Sequence, residues 1–122
     1  MKWLSRIFVA AALMTLAVSL RAQTRPVQTF GPVTITPIYH ATLLIQAGGK
    51  NIYVDPAKPA SFTGLPQADL ILITHEHGDH VDQDQTSIKA ISKPGTEIWA
   101  PAAVQSFVTS ATVMNNGDKK EV

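Results

Sequence analysis

The chain has 122 residues, of which 45% are hydrophobic and 16% charged, with a formal net charge of +1. That is too apolar for a disordered chain and too short for more than one small domain. With no cysteine it builds no disulfide framework and offers no thiolate to a metal, and no basic stripe suggests nucleic acid as a partner.

Lys2 and Arg6 open the chain, a run from Ile7 to Leu20 follows that is apolar apart from Thr15 and Ser19, and Arg21-Ala22-Gln23 closes the segment. This is the three-part layout of a secretory signal peptide. A membrane-spanning helix needs about 20 apolar residues, so residues 1–22 read as a leader cut after Ala22, leaving no stable membrane anchor. The remainder carries seven basic and nine acidic residues, a net of −2. The expected location is the periplasm or beyond.

Residues 23–32 are punctuated by proline and glycine and read as a lead-in, with strands beginning after it. Val33, Ile35 and Pro37 alternate with Thr34 and Thr36, the period of a half-buried strand. Ala41 to Ala47 and Asn51 to Val54 flank Gly48-Gly49-Lys50, where glycines can take the positive φ of a tight hairpin turn. Asp55-Pro56 closes that hairpin, and the proline-rich stretch to Gln67 is a surface loop. Leu70 to Ile73 is a short apolar run suited to a strand buried on both faces. Asp82 and Gln85 fit a capping box ahead of a helix over residues 83–92, stopped by Lys93-Pro94-Gly95. Glu97 to Ala100 is another strand. Pro101 suits the first turn of a helix carrying Val104, Phe107 and Val108 inward. Residues 111–114 form a last short strand, 115–118 a turn, and Lys119 to Val122 the start of a further strand. The order gives an α/β layered fold with a mixed sheet.

The chemistry sits in ITHEHGDH, residues 73–80, which holds three of the four histidines. At a spacing of two, His75 and His77 project to the same side and can reach one ion. Gly78 relaxes the backbone so that Asp79 and His80 can approach from another direction and address a second ion. His75-Glu76 begins like the zincin motif H-E-x-x-H, but the fifth position is Asp79, and Gly78 after a buried strand argues against the helix that motif requires. A polar turn, or an incidental metal-scavenging tract, is the bland alternative. Loops at the carboxyl ends of α/β strands are where sites are usually built.

The stretch resembles the H-x-H-x-D-H signature of the metallo-β-lactamase-fold hydrolases, matched at His75, His77, Asp79 and His80. The segment HATLLIQAGGKNIYVDP, His40 to Pro56, looks like the hairpin of the same family, in its branch of L-ascorbate-6-phosphate lactonase-like and N-acyl phosphatidylethanolamine phospholipase-like enzymes. The resemblance covers residues 33–122 and implies the N-terminal half of an αββα sandwich with helices on one face of the sheet. It implies one or two zinc ions, with manganese or iron as other divalent candidates. His75 and His77 would hold the first, Asp79 and His80 the second, and Asp79 would also handle protons as the catalytic residue. A small-molecule substrate with an ester, lactone, phosphodiester or similar bond is implied, while the sequence leaves the bond and the oligomeric state open.

The family completes its site with further histidines and an aspartate well downstream, and no histidine follows His80. The 122 residues are therefore expected to be an incomplete fragment with weak metal binding and negligible turnover. The alternative is a short metal-binding protein that needs a second chain to complete its site. His40 reads as a structural strand-end histidine or as part of the pocket. Asp55 reads as a turn cap or a group orienting a ligand histidine, Glu76 as solvated, and Trp99 and Phe107 as core.

Overall fold

The computed structural model describes residues 25–122; the predicted leader and its cut after Ala22 lie outside the described residues. The described chain forms one seven-stranded sheet in which spatial order follows sequence order. The strands are β1 (Gln28–Phe30), β2 (Val33–Tyr39), β3 (Thr42–Ala47), β4 (Lys50–Val54), β5 (Leu70–Leu72), β6 (Glu97–Ala100) and β7 (Thr112–Val113). The first four pair antiparallel as a meander, and β4 through β7 run parallel. Two short helices, α1 (Thr86–Ile91) and α2 (Ala102–Gln105), occupy two of the three crossovers that parallel pairing demands, and the β4–β5 crossover is a loop. Among the described residues no helix is long and apolar enough to cross a membrane.

The β3–β4 hairpin turns on Gly48 and Gly49, both at the positive φ (56° and 77°) that a tight turn needs, with Lys50 joining the strand opposite Ala47. β5 is flanked by β4 and β6 and buries Leu70 and Ile71, as its unbroken apolar run predicts.

The lead-in is not wholly irregular. Gln28 to Phe30 pairs with Val33 to Ile35 across Gly31 (φ 56°), so a short strand precedes the first one expected. The facing of β2 is also the reverse of the expected one. Thr36 is buried and Pro37 exposed, because register places Thr36 opposite Leu44 on the core face. The same row continues through Tyr53, Ile71 and Ile98, and Ile88 and Ile91 of α1 and Val104 and Val108 around α2 pack into one cluster with it. Fully burying side chains of this size is worth about 1.5–3 kcal/mol each. Tyr53 hides its ring there and donates its hydroxyl to Pro66 O at 2.7 Å; burial pushes that hydroxyl's pKa up to about 12.

α1 begins at Thr86, three residues later than the capping box predicts, and Gln85 sits left-handed (φ 58°) with no side-chain cap. The reason is tertiary. Asp82 turns its carboxylate to the amides of Lys58 (2.7 Å) and Ser87 (2.8 Å), and Gln85 donates its side-chain amide to Phe107 O at 2.6 Å. Pro101 lies just before α2, at its N-cap. Residues 119–122 form no strand; instead the Lys120 ammonium bonds Glu97 at 3.0 Å and stands 4.7 Å over the Trp99 ring, a cation–π contact that satisfies it locally.

Candidate metal centre

Ile73 prolongs the line of β5, its amide donating to Trp99 O at 3.0 Å, and the chain leaves the sheet at Thr74. From there it curls back on a single carbonyl: His77 O accepts from the amides of His80 (2.9 Å) and Val81 (3.0 Å). Gly78 is not what makes the curl, since it lacks a positive φ and a Cβ there would meet nothing within 4 Å. The non-glycine residues at positive φ beside the loop are His40 (49°) and Asp55 (46°), which end β2 and β4. Such conformations cost on the order of 1–3 kcal/mol and persist where the surroundings enforce them.

Those surroundings are visible at Asp55. Its amide donates to Leu72 O at 2.9 Å, and its carbonyl accepts from the buried Thr42 hydroxyl at 2.6 Å. The side chain, 2% exposed as part of the residue, accepts from the Thr74 amide at Oδ1 (2.7 Å) and from both the Thr74 hydroxyl and His80 Nδ1 at Oδ2 (2.7 Å each). Thr74, which the sequence reading passed over, thereby stands beside both ends of the motif; its hydroxyl is 3.1 Å from His75 Nδ1 and 3.3 Å from His80 Nδ1. Its one sequence signal is its place, directly between the buried strand and His75.

All four motif residues converge. Ring centroids lie 4.7 Å apart for His75 and His77 and 3.8 Å apart for His75 and His80. Asp79 Oδ2 is 3.6 Å from His80 Nε2 and 3.8 Å from His40 Nε2, so the histidine ending β2 joins the group. Two sets of three donors result, each with its ligand atoms within 4.8 Å of one another: His75, His77 and Asp79, and His40, Asp79 and His80. Asp79 belongs to both. Exposure is graded across them, from 17% for the His80 side chain to 54% and 56% for Asp79 and His40. Glu76 is exposed, as expected of a solvated side chain.

The residues fit a divalent cation by the chemistry of their donors. Neutral imidazole and carboxylate together suit zinc, manganese or iron, and bonds of about 2.0–2.2 Å require donors packed as closely as these. A ligand histidine normally donates its second ring nitrogen to a carboxylate or carbonyl, and His80 already does so to Asp55.

The sequence matches the Beta-lactamase superfamily domain over residues 34–121. A UPF0173 metal-dependent hydrolase of Flavobacterium johnsoniae is 40% identical over 96 residues, which cover 68% of this chain and 40% of that protein. Another from Aeropyrum pernix is 33% identical over 71% of this chain and 37% of its own. The chain thus spans less than half the length of these relatives. A crystal structure from Parabacteroides distasonis, assigned to the metal-dependent hydrolases, superposes with a TM-score of 0.71 at 39% identity, covering 78% of this chain and 45% of that one. Igni18, a metallo hydrolase of Ignicoccus hospitalis, shares the fold at 19% identity and a TM-score of 0.59 over 74% of this chain and 42% of its own. With its parallel strands, its loop of histidines and the match over residues 34–121, the chain belongs to the metallo-β-lactamase superfamily.

Proposed function

We propose that the protein is an exported, zinc-dependent hydrolase that activates water against an ester, lactone, phosphodiester or similar bond of a small-molecule substrate. The observation that carries this reading is the pair of three-donor groups sharing Asp79, set on a loop whose far end is held by a buried carboxylate. His75, His77 and Asp79 would hold one ion; His40, Asp79 and His80 would hold a second. Zinc in such a site supplies an acidified water and a Lewis acid for the scissile bond.

The chain's own groups do the rest. His80 keeps its Nε2 3.6 Å from Asp79 Oδ2, while Asp55 holds the ring from behind through Nδ1. Asp79, half exposed and within 4 Å of two imidazoles, is placed to take a proton from the attacking water and return it to the leaving group. Export is supported by the leader-like residues 1–22 and is checked by N-terminal sequencing of protein recovered from the cell envelope or medium, where Gln23 should be the first residue.

Metal analysis after chelator treatment and reloading tests the centre directly. The wild-type protein should take up zinc, and His75→Ala should lose at least about 100-fold in affinity, since it deletes a ligand rather than a supporting group. If wild-type protein took up no zinc, manganese or iron, this reading would be wrong.

A further inference from the structure

Thr74 lies between a buried carboxylate and two imidazoles, and its hydroxyl owns a single proton. Three acceptors contend for it: Asp55 Oδ2 at 2.7 Å, His75 Nδ1 at 3.1 Å and His80 Nδ1 at 3.3 Å. The carboxylate wins, because it is the nearest and because a charged acceptor roughly doubles the strength of a hydrogen bond. Any other choice would set two oxygens lone pair to lone pair at 2.7 Å. Once the proton is committed, the Thr74 oxygen has only lone pairs to present to His75, so His75 Nδ1 must carry a hydrogen. His80 Nδ1, at 2.7 Å from the same carboxylate oxygen, must carry one too. A neutral imidazole has one N–H, so both Nε2 atoms are left as bare acceptors.

We propose that Thr74 is a positioning residue which, together with Asp55, fixes the tautomers of His75 and His80 at once, leaving each Nε2 ready for a cation. One buried carboxylate thereby presets two rings, the nearer directly and the farther through a hydroxyl. The purpose of the device rests on the metal-centre reading above, but the tautomers themselves exist without metal, so the two ideas fail separately.

The test is nitrogen NMR on 15N-histidine-labelled, metal-free protein at a pH where the imidazoles are neutral. His75 and His80 should both be Nδ1–H tautomers in the wild-type protein; Nε2–H at either ring overturns the proposal, whatever the variants do. Thr74→Val keeps the shape and the backbone amide bond to Asp55 Oδ1 but deletes the hydroxyl. It should shift His75 toward Nε2–H, leave His80 as Nδ1–H, and weaken zinc binding about 10- to 100-fold. Thr74→Ser should restore both readouts. A His75 tautomer unchanged in folded Thr74→Val, or a Thr74→Ser variant that behaves like Val, overturns the proposal.

Discussion

Asp55 and Asp82 are both buried carboxylates at the margins of the histidine loop, and each ties together segments remote in sequence, yet their partners differ in kind. Asp82 accepts only from backbone amides, those of Lys58 and Ser87. Asp55 accepts from one amide, one hydroxyl and one imidazole. A carboxylate bonded to backbone fixes where the chain runs. A carboxylate bonded to side chains also fixes how those side chains turn and where their protons reside. The same residue type, equally hidden, therefore serves architecture on one flank of the loop and chemistry on the other.

Removing the architectural member should have the larger effect. Asp82→Ala strands two amides that had a charged acceptor and should cost about 3 kcal/mol of unfolding free energy, read by denaturant titration. Zinc affinity of the folded fraction should stay as it was. Asp55→Asn comes next: its amide would present N–H where Thr74 and His80 already donate, so zinc affinity should fall about 10- to 100-fold, or about 1.4–2.7 kcal/mol, by chelator competition. If Asp82→Ala lowered zinc affinity as much as Asp55→Asn, the division between the two would be broken.

The smallest effect should come from Lys58→Met, which leaves the Lys58 backbone bond to Asp82 but deletes the side-chain bond to Asp84 (2.6 Å). That bond is the main reason Asp84 is lowered from 3.8 to about 2. A carboxyl depressed in the folded state adds stability above its unfolded value and loses it as pH falls through the folded one. Wild-type melting should thus drop between pH 3.8 and about 2 more steeply than that of the variant, with little difference at neutral pH.

The convergence of His75, His77, Asp79 and His80 was legible because their spacing after an apolar strand is a local property. The Gly48-Gly49 hairpin was legible for the same reason, its positive φ being demanded within two residues. What stayed hidden was decided at long range. Asp82 and Gln85 carry a sound capping pattern, but the Lys58 amide and the Phe107 carbonyl, 24 and 22 residues away, outcompete the local bonds. Thr36 looked like the solvent side of an alternating strand until pairing with Leu44 set its face. Thr74 and His40 could not be ranked from sequence, since what distinguishes them is a neighbour remote in the chain, Asp55 for Thr74 and Asp79 for His40.

Asp55 and Thr74 meet because they end adjacent parallel strands, so their bond bypasses the intervening loop altogether. Exposed positions in that loop, such as Thr63 and Gln67, can therefore be changed without touching the bond that holds the histidine loop to the sheet. Insertions or length changes made there should leave zinc affinity as it was, because the support of the imidazoles runs from strand end to strand end.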